Sequence, residues 1–138
     1  MSMSDTCSGS RKAPRRAALV SLATAVPPHL LTQAHAADVA RDAFAHRFAD
    51  FGRISRVFKT TGIQSRHVIK PIDWYLKPMG WPERTAAYLE GAQELFITAA
   101  HKALAAAGCE ASGVDTVVTI SSTGIATPSL EARVAGRM

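Results

Sequence analysis

Two stretches of this sequence hold side chains whose types and spacing could do chemistry. The first is "SSTGIATP", residues 121–128, where Ser121, Ser122, Thr123, Gly124 and Thr127 follow the apolar run "VDTVVTI" and lead into Pro128. Small hydroxylated residues there can simply stop a strand and cap a helix. They can also form the floor of a site, because open α/β sheets bind ligands where their strands end. The second stretch carries Arg53, Arg56 and Lys59, three residues apart on a helical pattern, which sets them in a row on one side. Arginine's fork suits phosphate groups through bidentate hydrogen bonds and charge together. A solvated face that keeps the protein soluble is the commoner use of such spacing.

Other reactive residue types are scattered. His29, His35, His46, His67 and His101 show no spacing that aims two imidazoles at one ion, and none lies near a cysteine, so no metal site is expected. The two cysteines are Cys7, in a polar tail, and Cys109, just after Gly108. They form neither a disulfide framework nor a paired ligand set.

The elements that must position these residues follow from periodicity. Residues 1–16 are Ser-rich, basic and poor in large apolar side chains, and are expected to stay mobile. "AALVSLATAV", 17–26, reads as a short buried strand ended by Pro27-Pro28. From Thr32 onward Ala36, Val39, Ala40, Ala43, Phe44 and Phe48 recur at helical spacing, with Asp38, Arg41, Asp42 and Arg47 on the other face. Residues 51–63 predict a second short helix turning Phe51, Ile54, Val57 and Phe58 inward. "RHVIK", 66–70, reads as a small strand. Pro71, Pro78 and Pro82 then hold an irregular connection whose Trp74, Tyr75 and Trp81 suggest a mini-core rather than a ligand surface.

Pro82 and Glu83 suit the first turn of a long helix that runs to about Ala107 and stops at Gly108. Val114, Val117, Val118 and Ile120 predict a strand covered on both faces, and a last helix begins near Pro128. Strand, helices, strand and helix in this order predict an α/β fold. The final helix, "SLEARVAGRM", has barely two turns and reads as truncated.

With 138 residues and 47% hydrophobic content the chain suits one domain with one core. The formal charge is +5, but Arg11, Lys12, Arg15 and Arg16 oppose Asp5 alone in the first sixteen residues, so +3 sits in that tail and +2 elsewhere. So small an excess is a weak footprint for nucleic acid, and no nucleic-acid partner is expected. No run approaches the roughly 18 apolar residues of a membrane-spanning helix, so no membrane partner is expected either. Arg15-Arg16 before an apolar stretch, with Ala34-His35-Ala36 beyond it, imitates a twin-arginine signal. That stretch is only ten residues long, carries Ser21 and Thr24, and is interrupted by Pro27-Pro28. The expected location is cytoplasmic, in a reducing compartment.

Four segments stand in a meaningful order: "SLATAVPPH", "FKTTGIQSRH", "ERTAAYLEGAQELFITAAHKALAAAG" and "VDTVVTISSTGIATPSLEARV". Together they resemble the N-terminal portion of a type III polyketide synthase, the chalcone and stilbene synthase family with the thiolase fold. The resemblance covers roughly residues 17–138, and its last segment is the most specific. It implies an α/β, partial thiolase-like fold, the first βα portion of an N-terminal half with an incomplete sheet. The implied organisation is a basic tail, 1–16, and a truncated thiolase-like domain, 17–138.

As the resemblance implies, such enzymes load a starter acyl group from coenzyme A onto a cysteine. They extend it with malonyl units by decarboxylative Claisen condensation, with acyl-CoA and malonyl-CoA as substrates, no separate cofactor, and a homodimer when complete. Aligned from "TGIQSRH", Arg53 and Arg56 fall on two positions that receive coenzyme A phosphates; the third falls on Thr60, with Lys59 adjacent as a substitute. Ser122 and Thr123 match positions lining the acyl pocket. Thr127 stands where many plant members carry a methionine reaching into the partner's cavity, a departure that alters pocket shape and the dimer contact.

The family's nucleophilic cysteine lies beyond "EARV", and its histidine and asparagine partners lie further on; this sequence contains none of the three. Cys109 is no substitute, because it matches the turn before the strand and has no neighbouring cation in sequence to favour a thiolate. Without a thiolate there is no acyl-enzyme, so the isolated chain is expected to catalyse no condensation. Two other roles stay open. One is a non-catalytic interaction subunit that pairs with a chain supplying the missing half; the other is a basic nucleic-acid binder acting through the tail and Arg53, Arg56 and Lys59.

Overall fold

The structure, a computed structural model, describes residues 17–138. The expected mobility of the tail and the Arg15-Arg16 pair fall outside the described residues. One small antiparallel sheet joins β1 (His29–Thr32) to β2 (Ser65–Val68), with His29 opposite Val68 and Thr32 opposite Ser65. The predicted small strand thus forms, shifted by a residue or two. Leu31 is its buried residue.

Thr32 passes the chain directly into α1 (Gln33–Phe44), its hydroxyl accepting the His35 N–H at 3.3 Å. Ala36, Val39, Ala40 and Ala43 are half-buried as the periodicity requires, whereas Phe44 and Phe48 are exposed. A 3₁₀ turn at Ala45–Arg47 ends the register, so Phe48 never continues the apolar face.

The helix expected over 51–63 is instead two single turns, α2 (Phe51–Ile54) and α3 (Val57–Thr60). Across the junction the amides of Arg56, Phe58 and Lys59 bond three residues back, to Arg53, Ser55 and Arg56. The Ser55 hydroxyl also donates to the Gly52 carbonyl at 3.0 Å, a local bond that competes with the helical ladder. Ile54 and Val57, expected inside, are exposed; Phe51 and Phe58 are half-buried.

Gln33, the one buried polar residue among those described, ties these pieces together. Its amide N–H donates to the Gln64 carbonyl at 2.8 Å, its side-chain nitrogen donates to the Phe58 carbonyl at 3.0 Å, and its side-chain oxygen accepts from Arg66. The start of α1, the end of α3 and β2 are therefore held at one amide.

The proline-rich connection contains a helix that local signals hid, α4 (Ile72–Leu76). Trp74 and Tyr75 meet edge to face there, centroids 5.0 Å apart. The long helix α5 (Trp81–Ala107) has Pro82 in its first turn and Glu83 at its positive end. It ends at Gly108 with φ 64° and ψ 31°, and the amides of Gly108 and Cys109 cap the carbonyls of Ala105 and Leu104 at 3.2 and 3.0 Å. Gly91 lets Ile69 close on α5: a Cβ there would lie 2.3 Å from Ile69 Cδ1. The last helix, α6 (Leu130–Val134), packs on α5 through Val134, 1% exposed, and Arg137 reaches Glu94 at 2.7 Å.

Both longer predicted strands fail to form. Residues 17–27 and 114–120 are neither helix nor strand and pair with no other strand among the described residues. Strand structure depends on a neighbour to complete the ladder, and apolar content alone does not supply one. The first run lies on α5, where the Ser21 hydroxyl donates to the Ala103 carbonyl at 2.8 Å. Along it Ser21, Ala23, Ala25 and Pro27 are half-buried while Leu22, Thr24 and Val26 face out, the alternation of a strand with one face covered. In the second run Val118 and Ile120 are almost wholly exposed, against the expectation of cover on both faces.

Candidate functional site

The hydroxyl-rich turn is built on α5. Ser121 Oγ accepts the N–H groups of Thr123 and Gly124 at 3.3 and 3.4 Å and stands 2.7 Å from Tyr88 Oη. Gly124 then lies against the Tyr88 ring, with no room for a side chain between them. The turn and the start of α5 enclose a cleft of about 590 Å³. Trp81, Arg84 and Tyr88 line one side; Thr123, Gly124 and Ile125 line the other.

Of the residues singled out from the sequence, Thr123 faces this cleft. Ser122 is exposed in the same turn without lining it. Thr127 contributes its carbonyl, which accepts from Arg133 Nη2 at 2.8 Å while the Pro128 carbonyl accepts from Arg133 Nε at 2.9 Å. This fork pins the chain entering α6. The hydroxyls of 121–123 do not cap α6: its N-cap residue is Ser129. The Ser129 hydroxyl, then that of Thr119, hydrogen-bond Glu131 and hold its carboxyl below the usual glutamate range.

The basic row runs from Arg53 on α2 through Arg56 at the junction to Lys59 on α3. Three-residue bonding across that junction interrupts the α-helical ladder, so the three cations do not share one continuous helix. Arg53 also pairs with Asp50, Nε to Oδ2 at 3.3 Å, while Arg56 and Lys59 have no carboxylate partner among the described residues. Lys59 lines another cleft, with Gln33, Asp38, Arg41 and Phe58. The residues lining the Thr123 cleft include none of the three cations. The structure thus forms two separate features, a cationic row and a hydroxyl-bearing cleft.

Trp81, Arg84 and Tyr88 were not singled out as site residues. Trp81, grouped with a mini-core, is 85% exposed at the cleft rim; Trp74 and Tyr75 alone form that cluster. Tyr88 meets Ser121 across 33 residues, and only the packing of the turn on α5 brings them together. The one sequence signal was helical register, which sets Arg84 and Tyr88 four apart and Trp81 three before Arg84, on one side of α5. Cys109 is exposed, its Sγ 3.6 Å from the Ala107 carbonyl. No cluster of three metal-ligating side chains occurs, and no helix is long and apolar enough to cross a membrane, among the described residues.

No family model matches the chain. A chalcone synthase-like protein of Bacillus subtilis (strain 168) is 35% identical over an alignment covering 83% of this chain and 33% of that protein. The 1,3,6,8-tetrahydroxynaphthalene synthase of Streptomyces peucetius subsp. caesius is 34% identical over 90% of this chain and 33% of the synthase. The crystal structure of 1,3,6,8-tetrahydroxynaphthalene synthase from Streptomyces coelicolor A3(2), a bacterial type III polyketide synthase, matches with a TM-score of 0.76 and 26% identity. That match covers 85% of this chain and 34% of the synthase. The chain therefore spans about a third of the length of these relatives.

Proposed function

Because the chain belongs to the type III polyketide synthase family, we propose that it forms the thioester-receiving part of an acyltransferase that condenses a CoA-linked starter with malonyl-CoA. It matches the N-terminal part of the family's members, in an α/β, partial thiolase-like fold whose sheet is incomplete. One observation carries the functional reading: the Ser121–Gly124 turn seats on Tyr88 and leaves Thr123 open to a cleft that a short acyl chain can enter. Arg53 and Arg56, with Lys59 beside them, receive the coenzyme A phosphates, and neither Arg56 nor Lys59 is engaged in an ion pair among the described residues. Thr123, with Ser122 next to it, borders the acyl group, and Thr127 belongs to the contact between two copies in the complete homodimer. A cytoplasmic location goes with these substrates, and fractionation after osmotic shock tests it.

The 138-residue chain by itself performs no condensation in this proposal. Its two cysteines are Cys7 and Cys109, and neither belongs to the glycine-rich turn that holds the family's nucleophile.

Calorimetric titration with coenzyme A tests the proposal. The parent chain binds, and Arg53→Glu with Arg56→Glu weakens binding roughly 100-fold, the loss of two charge-assisted contacts. Equal affinity in the parent and the double variant would overturn the phosphate role.

A second reading is favoured by the runs 17–27 and 114–120, which expose apolar side chains and join no ladder among the described residues. In it the chain is a non-catalytic subunit completed by a partner that supplies further strands. A stoichiometric complex on gel filtration with a chain carrying the rest of a type III polyketide synthase supports it, and coelution of nothing counts against it.

A further inference from the structure

The hydroxyl of Ser121 stands in a three-way contact whose proton arrangement is set by counting. A serine hydroxyl owns one proton and two lone pairs. The amides of Thr123 and Gly124 both point at Ser121 Oγ, at 3.3 and 3.4 Å, and occupy the lone pairs. Either oxygen could donate across the 2.7 Å to Tyr88 Oη, and the assignment that satisfies all three contacts at once has Ser121 donating and the phenol accepting. The phenol keeps its own O–H, which has no protein acceptor among the described residues, and Tyr88 lines the same cleft as Thr123. The ring cannot swing away on the turn's side, because Gly124 is packed against it.

We propose that Tyr88 is a ligand-binding residue: its phenolic O–H, aimed by Ser121, donates to a carbonyl oxygen of an acyl thioester lying between the start of α5 and the 121–125 turn. The inference rests on the coenzyme A reading above and adds a residue and a contact to it. Carbonyl is the fitting acceptor class. The phenol is a neutral donor, Trp81 and Ile125 offer apolar surface for a short acyl chain, and Arg84, which gives its Nε–H to the Met79 carbonyl at 3.3 Å, keeps its Nη hydrogens on the same cleft for a second contact with the thioester.

The test compares acetyl-CoA with S-ethyl-CoA, a thioether of the same size that lacks the carbonyl, by calorimetric titration of the full chain. The parent prefers acetyl-CoA by about tenfold, the worth of one well-aligned hydrogen bond. Tyr88→Phe keeps the ring on Gly124 and abolishes the preference, while its affinity for S-ethyl-CoA stays within about twofold of the parent. Ser121→Ala keeps the phenol but not its aim, so the preference falls in part and the Thr123 and Gly124 amides exchange hydrogen faster. A preference unchanged in Tyr88→Phe overturns the inference and leaves the coenzyme A reading standing. Failure of the parent to bind either probe overturns that reading, and the Tyr88 contact with it.

Discussion

Gly124 has no side chain because the ring of Tyr88 occupies the place where one would go. A Cβ there would lie 2.6 Å from Cδ1 and 2.7 Å from Cε1 of that ring. Gly124 is not among the glycines with positive φ, so the requirement is for space. Gly124→Ala is expected to cost about 1–3 kcal/mol by overpacking, read from urea denaturation. In a Tyr88→Ala background the same change should cost less than half as much. An undiminished cost there would point to the backbone instead.

Gln33→Ala removes the amide that joins α1, α3 and β2. The Phe58 carbonyl and Arg66 lose their shared partner, and a loss of about 1–3 kcal/mol is expected in the same denaturation experiment. Because Phe58 precedes Lys59 on α3, coenzyme A affinity should weaken as well, though the cations themselves are untouched. Full coenzyme A affinity in a destabilised Gln33→Ala protein would separate the junction from the basic row.

At Gly108 the left-handed backbone is the constraint, since a Cβ there meets nothing within 4 Å. Gly108→Ala should lower stability by about 1 kcal/mol, and Gly108→Asn by less, because asparagine tolerates that conformation better. Thermal melts of the two variants check the order; equal values would contradict it.

Acid should act through Glu131. Its carboxyl is held below the ordinary glutamate value of 4.5, first by the Ser129 hydroxyl and then by Thr119. A depressed carboxylate adds stability above its unfolded value and loses it as pH falls through the folded one. The stability difference between the parent and Glu131→Gln should therefore be full near neutrality, narrow as pH drops below 4.5, and vanish at lower pH. Solvent exposure keeps that difference small. A gap independent of pH would assign the effect to packing.

Features decided within a few residues were legible in the sequence. Pro82 and Glu83 at the start of α5 and Gly108 at its end stand where expected, and the small strand expected over 66–70 forms at Ser65–Val68, because all of these act through local bonds and periodicity. The strands expected at 17–26 and 114–120 did not form, because a ladder needs a second chain segment that no local pattern supplies. Apolar spacing over residues 51–63 reads as one helix because it says nothing of the Ser55 hydroxyl turning back onto the Gly52 carbonyl.

The candidate site divided along the same line. Thr123 was legible as the end of an apolar run, while Tyr88, the residue it depends on, looked like one more position in an alanine-rich helix. Only tertiary packing distinguishes Tyr88 from its neighbours.

The run at 17–27 has a practical outcome for anyone purifying this protein. It joins no ladder among the described residues, and the exposed side chains of Leu22 and Val26 give a similar stretch, including another copy of itself, a surface to pair with. Concentrating the chain should make solutions cloudy, and short extended peptides added in excess should clear them.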